Sequence, residues 1–341
     1  MFDFLTQNQN AQFYECGYSC DNAWLLKISQ ECFFITDPRY TLEAQENCNS
    51  NTRVLESSDI TTALINLINE LKPHKLIFDS KQISLDSCQK ISSLTKTTLE
   101  PKINFHQKLR IIKSENEIQK IQQSQKLNQK AYDDFASFLC KQQTPLSEKT
   151  LHFYAKNFLQ DFGNFELSFD PIIGINQNAA KPHALPSDTI LKKEDLILFD
   201  AGIKFERYCS DRTRTAFFDH SFNFDKTQKF KDPKIQKIYD VVLQAQEHTI
   251  KNIKSGMSGK EIDALAREII EQKGFGKFFN HSTGHGIGLD IHELPFISPR
   301  SEDIIEDGMV FSIEPGIYIP NEFGIRIEDL VVIKDGKAQI L

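Results

Sequence analysis

The sequence lacks the features that mark membrane and secreted proteins. No apolar run in its 341 residues is long enough to span a bilayer. The first ten residues show no basic segment followed by an apolar core, so we expect no secretory signal. The seven cysteines are irregularly spaced and form no C-x-x-C pair, which favours free thiols in a reducing cytosol. We therefore expect a cytoplasmic protein without a membrane partner.

The sequence also lacks an excess of positive charge and the motifs of covalent hydrolases. Its formal net charge is -7, and an acidic surface repels phosphate backbones, so we expect no nucleic-acid partner. A Gly-x-Ser-x-Gly motif is absent, and no convincing Cys/His nucleophile pair is present. The remaining composition, 40% hydrophobic and 26% charged, is typical of a soluble globular protein.

The organisation of the chain predicts two domains of the α/β (α+β) class. In the N-terminal part, Ala23–Ser29, Cys32–Thr36 and Lys75–Phe78 have strand patterns, and Ile60–Leu71 has a helical pattern. A capping-box signature, S-x-x-E, follows at residues 114–117 and begins a long amphipathic helix. The sequence therefore predicts an N-terminal domain over residues 1–112 and a second domain over residues 113–341.

Two further helices are expected in the second domain. One runs from about Pro233 to Lys254, with Gly256 just beyond its end. The other begins at a capping box at residues 258–261 and ends at Gly274.

A first pair of strands presents two acidic residues. Leu196–Asp200 and Cys209–Phe217 both have strand patterns and are separated by a short charged turn. A hairpin centred between Phe205 and Glu206 would place Asp200 directly opposite Asp211. Directly opposed residues point to the same face, with side chains about 5 Å apart. Two like charges so placed repel each other unless a cation lies between them.

A second pair of strands repeats the arrangement near the C-terminus. Val310–Glu314 and Ile325–Ile333 have strand patterns, and the segment between them contains proline, asparagine and glycine. A hairpin centred on Asn321 sets Glu314 opposite Glu328. Side chains alternate along a strand, so the neighbouring Asp329 points to the other face, and Arg326 shares the face of Glu328.

These two hairpins predict a site with four inward carboxylates. Residues 281–293, HSTGHGIGLDIHE, could add an imidazole, which gives five oxygen and nitrogen ligands and no thiolate. Such a set suits a pair of divalent ions, with hard-ligand character favouring Mn or Co over Zn or Fe. The alternative is that all four acids are solvated strand residues. Acids are depleted in strand interiors, and four paired by register favour the metal site.

Five short segments resemble the signature blocks of the M24 metallopeptidases, which have the "pita-bread" fold. The blocks are Phe199–Gly202, Ser210–Thr215, Thr283–Glu293, Ser312–Tyr318 and Gly324–Asp329. They occur in the family's order, and their combination is specific. The N-terminal half is similar, more weakly, to the creatinase/aminopeptidase P N-terminal domain.

The resemblance implies roles for individual residues. It assigns five metal ligands, namely Asp200, Asp211, His285, Glu314 and Glu328. It also implies that His292 stabilises the tetrahedral intermediate, as an oxyanion-binding group does. His281 is implied to line the pocket for the residue after the cut, and His183 to contact substrate near the scissile bond. Arg326 would pair with a carboxylate, either a substrate C-terminus or a neighbouring acid.

The implied chemistry is peptide hydrolysis without a covalent intermediate. Two divalent ions would lower the pKa of a bridging water so that a hydroxide nucleophile exists near neutral pH. Glu314 would act as general base and then as general acid.

The implied substrates are peptides with proline in the second position. Arg326, the segment Glu314–Tyr318 and an additional N-terminal domain are similar to the aminopeptidase P and prolidase branch, which acts as homodimers. Three alternatives stay open. They are a methionine aminopeptidase, a creatinase-type amidinohydrolase, and a non-catalytic domain that binds peptides or proteins.

Overall fold

The computed structural model describes residues 2–341 and divides after Arg110 into two units. Both units combine helices with β-sheet, so the predicted mixed α/β class is confirmed. Within residues 2–341, no helix is both long enough and apolar enough to cross a membrane.

The first unit is a six-stranded mixed sheet with helices. Its strands are β1 (Phe4–Thr6), β2 (Ala23–Ile28), β3 (Glu31–Thr36), β4 (Thr52–Glu56), β5 (Lys75–Phe78) and β6 (Thr98–Pro101). Its helices are α1 (Gln9–Cys16), α2 (Thr41–Asn47), α3 (Ile60–Leu71), α4 (Leu85–Leu94) and α5 (Phe105–Leu109). The strand order is β4-β3-β2-β1-β5-β6.

Helix α3 shows why the local sequence predicted the bounds of this element. Asp59 caps its first turn by accepting a hydrogen bond from the backbone of Thr62. Lys72 then adopts a left-handed conformation, and Pro73 cannot continue the helix. Both predicted ends of α3, and those of strand β5, are confirmed.

The second unit contains the remaining helices and strands. Its helices are α6 (Glu115–Lys141), α7 (Glu148–Gln160), α8 (Pro233–Asn252) and α9 (Gly259–Gln272). Both predicted capping boxes are present, at the starts of α6 and α9. The first strands are β7 (Glu166–Leu167), β8 (Ile172–Ile175), β9 (Leu196–Ala201), β10 (Ile203–Phe205), β11 (Tyr208–Cys209) and β12 (Arg212–Phe217). The later strands are β13 (Gly284–Gly286), β14 (Glu293–Ile297), β15 (Val310–Ile313), β16 (Gly316–Ile319), β17 (Phe323–Arg326), β18 (Asp329–Lys334) and β19 (Lys337–Ile340).

Three sheets of this unit carry the predicted site residues. Their strand orders are β12-β9-β8, β14-β13-β15-β18-β19 and β16-β17. Helix α6 fixes the strand ends near the site with buried polar side chains. Gln125 donates a hydrogen bond to the carbonyl oxygen of Asp211 at 2.9 Å, and Asn128 donates to that of Ala201 at 2.9 Å. These bonds satisfy backbone groups at the point where the ladder between β9 and β12 ends.

Candidate active site

A cavity of about 510 Å³ in the second unit brings together every residue that the sequence predicted for the site. Its lining includes the five predicted metal ligands, the three other histidines and the arginine, which are Asp200, Asp211, His285, Glu314, Glu328, His183, His281, His292 and Arg326. These residues come from positions up to 145 apart in the chain, between His183 and Glu328. The alternative of four separately solvated strand acids is therefore wrong.

The first hairpin has a different register from the one predicted. Asp200 lies opposite Thr213, not opposite Asp211. The turn is centred between Glu206 and Arg207, one residue later than expected, and both residues have positive φ (45° and 72°). When the centre of a hairpin moves by one residue, the partner opposite each residue moves by two positions. The side chains therefore still point to the same face. Asp200 and Asp211 therefore still line the same cavity, as diagonal neighbours.

The second hairpin has the predicted register. Gly316 pairs with Arg326, and Ile313 pairs with Asp329, so the hairpin is centred on Asn321. Glu314 and Glu328 lie in the gap between these two sets of paired strands. Their backbone N–H groups donate instead to other segments of the site, Glu314 to the carbonyl oxygen of Thr283, just before β13, and Glu328 to that of Thr213 in β12.

Asp329 points away from the cavity, as alternation predicted. Its carboxylate forms a buried ion pair with Arg214 at 2.5 Å and a second ion pair with Lys226 at 2.6 Å. Gln246 also donates to it, at 2.8 Å. The two adjacent acids, Glu328 and Asp329, thus have separate partners on opposite faces of the strand.

His285 lies in the short strand β13, between two glycines. A Cβ atom at Gly284 would be 1.9 Å from the carbonyl oxygen of Ser312, and one at Gly286 would be 2.2 Å from that of Leu294. The glycines therefore permit close approach of the neighbouring strands.

The imidazole of His285 faces the acids through its Nε2 atom. This atom lies 3.4 Å from Glu314 Oε1 and 3.6 Å from Asp211 Oδ2. Nδ1 lies 3.1 Å from the carbonyl oxygen of Gly286, which requires Nδ1 to be the protonated nitrogen. Nε2 is then left with a lone pair directed at the acids, as a metal ligand needs. Potential ligand atoms of Asp211, His285 and Glu328 all lie within 4.8 Å of one another.

The acids of the cavity are poorly neutralised by the protein. Burial, followed by repulsion from neighbouring carboxylates, holds the pKa values of Asp211 and Glu328 well above their usual range. Burial likewise raises the pKa of Glu314 to about 7. One carboxylate oxygen in each of three acids is buried without a hydrogen-bond partner, namely Asp200 Oδ1, Asp211 Oδ1 and Glu328 Oε1. Unpaired buried oxygens of this kind fit a site for divalent cations.

Arg326 pairs with a neighbouring acid, which is one of the two partners considered from the sequence. Its Nη2 atom lies 2.6 Å from Asp200 Oδ2, and its Nε donates to Thr213 Oγ1 at 3.0 Å. Its Nη1 donates to the hydroxyl of Tyr318 at 2.6 Å. Burial opposes its charge, but Tyr318 and Asp200 together hold the pKa of Arg326 well above its usual value.

Tyr318 is a site residue that the sequence reasoning did not single out. Its hydroxyl lies 3.0 Å from His281 Nε2, while His281 Nδ1 lies 2.8 Å from the carbonyl oxygen of Ser282. Because that carbonyl can only accept, Nδ1 donates and Nε2 accepts from Tyr318. The hairpin register contained the signal, since Tyr318 and Arg326 lie on one face of β16 and β17.

The remaining two histidines are accessible from the cavity. The ring of His292 lies 4.2 Å from that of His285, centroid to centroid, at an angle of 71°. Burial lowers the pKa of His292, which favours the neutral ring. His183 is exposed in the loop that follows a short 3₁₀-helix, Asn176–Ala180.

Comparison with known proteins agrees with this geometry. The model of "Metallopeptidase family M24" matches residues 119–335. The uncharacterized peptidase YqhT of Bacillus subtilis (strain 168) is 32% identical over 332 residues, which are 97% of this chain and 90% of the relative.

Solved structures are similar over the whole chain. An Xaa-Pro dipeptidase from Bacillus anthracis has a TM-score of 0.89 at 30% identity, and the match covers 99% of this chain and 92% of the dipeptidase chain. An X-Pro aminopeptidase from Thermotoga maritima MSB8 has a TM-score of 0.86 at 31% identity, with coverages of 100% and 95%. A prolidase from Pyrococcus furiosus has a TM-score of 0.85 at 28% identity, with coverages of 100% and 96%. The pita-bread fold is thereby confirmed, and the chain belongs to metallopeptidase family M24.

Proposed function

We propose that the protein hydrolyses the N-terminal Xaa-Pro bond of peptides, with two divalent metal ions as cofactors. The observation that carries the proposal is the convergence of four acids and His285 in one cavity, with three carboxylate oxygens left unpartnered. The solved relatives named as an Xaa-Pro dipeptidase and an X-Pro aminopeptidase support the choice of substrate. A bond before proline is a tertiary amide without an N–H, which ordinary proteases fit poorly.

The proposed ligands are Asp200, Asp211, His285, Glu314 and Glu328. Divalent ions held there supply an activated water and polarise the scissile carbonyl. Oxygen and nitrogen ligands without thiolate favour Mn, with Co, Zn and Fe as the other candidates.

Side chains of the protein would carry out proton transfer, oxyanion stabilisation and substrate contact. Glu314 Oε1 accepts a hydrogen bond from Ser312 and faces the cavity, where the carboxylate would take a proton from water and return it to the leaving nitrogen. His292, exposed beside His285, would donate a hydrogen bond to the developing oxyanion. His183 and His281 would contact the substrate.

Arg326 would act as a positioning residue for Asp200. Its guanidinium bonds Asp200 Oδ2 and leaves Oδ1 of the same carboxylate for a metal. An Arg326→Gln variant should therefore bind Mn more weakly, with a larger effect on metal affinity than on the KM of the loaded enzyme.

Three features remain predictions. Residues 1–112 are predicted to form a creatinase/aminopeptidase P-like domain and residues 113–341 the catalytic domain. The protein is also predicted to be a cytoplasmic homodimer, and light scattering of the purified protein checks the oligomeric state.

The test is a cleavage assay by mass spectrometry. Protein stripped with a chelator is reloaded with Mn, Co or Zn and mixed with Ala-Pro, Ala-Pro-Ala and Met-Ala-Ser. Metal-dependent release of Ala from proline peptides is expected. Cleavage of Met-Ala-Ser alone would indicate a methionine aminopeptidase, and hydrolysis of creatine alone an amidinohydrolase. Failure to bind any metal would favour the non-catalytic alternative.

A further inference from the structure

The charged side chains of the cavity are almost all acidic. Among the described residues that line it, Asp170 joins the four proposed ligand acids, and Arg326 is the one lysine or arginine. Arg326 is 3% exposed, and each of its three guanidinium nitrogens already bonds a protein oxygen. Nη1 has a second acceptor in the carbonyl oxygen of Pro182, at 3.4 Å. The lining therefore offers no uncommitted guanidinium or ammonium group to a substrate.

The basic side chains that contact Asp170 are also committed. Asp170 lies on the lining, and its carboxylate pairs with Lys156 and, at 3.1 Å, with His152. His281 cannot substitute for them, because Ser282 and Tyr318 occupy both of its ring nitrogens. A substrate carboxylate entering this cavity would meet no lysine or arginine that is free to pair with it, and the four ligand acids would already hold the proposed metal ions. The imidazoles of His183 and His292 also line the cavity.

This arrangement discriminates between a dipeptide and a longer peptide. In a dipeptide Xaa-Pro, the carboxylate is attached directly to the proline and must enter the cavity with it. A carboxylate that loses water without gaining a lysine or arginine as a partner is disfavoured. In a tripeptide, a neutral amide occupies that position and the carboxylate lies about 3.5 Å further along the chain.

The edge of the cavity suits residues that follow the proline. Leu185 and Phe296 line the cavity and are 82% and 39% exposed, respectively. Exposed apolar side chains at a cavity edge can bury the side chains of an extended peptide. They offer nothing to a terminal carboxylate.

We propose that this cavity takes peptides that continue beyond the proline, of three residues or more, and has no subsite for the C-terminal carboxylate of an Xaa-Pro dipeptide. The proposal rests on the Xaa-Pro activity proposed above, and it names the substrate class of that same site.

The test compares kcat/KM of the metal-loaded protein for four peptides. They are Ala-Pro, Ala-Pro amide, Ala-Pro-Ala and Ala-Pro-Ala amide. We expect Ala-Pro amide and Ala-Pro-Ala to be cleaved at least about tenfold more efficiently than Ala-Pro, since removal of the carboxylate removes its desolvation cost. Amidation of Ala-Pro-Ala should change kcat/KM less than about threefold, because that carboxylate lies outside the cavity. A binding readout accompanies these rates, since prolinamide should inhibit more strongly than proline.

Two results would overturn the proposal that the carboxylate subsite is absent. A third result would instead overturn the Xaa-Pro activity on which the proposal rests. Preference for Ala-Pro over its amide, or stronger inhibition by proline than by prolinamide, would show that a carboxylate subsite exists. Failure to cleave all four peptides, with metal bound, would overturn the Xaa-Pro activity itself.

Added charge at the cavity edge provides a second measurement. Leu185→Arg and Phe296→Arg each introduce a cation, and Leu185→Gln and Phe296→Gln are the matched neutral controls. We expect at least one arginine variant to raise the ratio of Ala-Pro to Ala-Pro amide cleavage about fivefold or more, through a lower KM for Ala-Pro. The glutamine variants should keep the original ratio. An unchanged ratio in both arginine variants would show that charge does not limit dipeptide cleavage.

Discussion

Lys113 and Glu293 form an ion pair that the protein encloses. Lys113 Nζ lies 2.8 Å from Glu293 Oε1, and both side chains are 1% exposed. The pair joins the segment before α6 to the first residue of β14, next to His292. Glu293 Oε2 also accepts a hydrogen bond from the backbone of Asp290 at 3.3 Å. One carboxylate thus connects a buried lysine with the turn that carries His292.

The Glu293→Gln substitution keeps the shape of the side chain and removes its charge. The Lys113 ammonium then loses its carboxylate and keeps the carbonyl oxygen of Ile111, 3.3 Å away. Removal of one partner of a buried pair costs about 3–5 kcal/mol, because the remaining charge is uncompensated. In a unit of this size each kcal/mol lowers Tm by roughly 2–4 °C, so we expect a fall of about 10 °C. A double variant, Lys113→Met with Glu293→Gln, should recover most of that loss, because no buried charge remains.

The assay is thermal unfolding of the chelated proteins, followed by circular dichroism. Lys130→Met is the matched control, since Lys130 pairs with Asp134 on the exposed face of α6, where the side chains are 72% and 49% exposed. Exposed pairs of this kind contribute about 0–1 kcal/mol, so this variant should hardly change Tm. The reasoning fails if Glu293→Gln behaves like Lys130→Met. It also fails if the double variant is as unstable as the sum of its single changes.

Three further predictions concern the site. Glu314→Gln should abolish turnover while the circular dichroism spectrum is unchanged, because the proposed proton carrier is lost; measurable turnover would contradict that role. His292→Ala should lower kcat by a factor on the order of 10²–10³ with metal content retained, as measured by elemental analysis, and full activity would remove His292 from the mechanism. Addition of Mn to chelated protein at 100 times its Kd should stabilise the fold by about 2.7 kcal/mol. Asp211→Asn should show less of this gain in Tm, and an equal gain would place the metal elsewhere.

The two hairpins show what the sequence predicted and what it could not. The second hairpin contains Asn321, which readily adopts positive φ and has a φ of 62° in the structure, so its centre was predicted correctly. The first hairpin turns at Glu206 and Arg207, which have positive φ although neither residue type favours it. Its centre was therefore misplaced by one residue. The face of Asp200 was still correct, because the period of two along a strand survives such a shift.

Features that depend on distant segments were less accessible to sequence reasoning. The close contacts of Gly284 and Gly286 are with the carbonyl oxygens of other strands, and local spacing does not reveal which strand lies there. Arg326 similarly bonds Asp200, which lies 126 positions earlier in the chain. The sequence predicted a carboxylate partner but could not decide between a substrate C-terminus and a neighbouring acid. Periodicity fixes the face of a side chain, whereas its contacts depend on how the sheets pack.

The site also explains why the acids occur together despite their mutual repulsion. Desolvation and like charge both oppose ionisation of Asp211 and Glu328, so the cluster alone disfavours the folded state. The protein supplies one guanidinium, from Arg326, and that group is directed at Asp200. The like charges and the unpartnered oxygens fit a site for divalent cations from outside the chain. The lack of protein cations beside these buried acids makes the cluster unfavourable alone and therefore favours metal binding. The same lack leaves no protein cation for a substrate carboxylate.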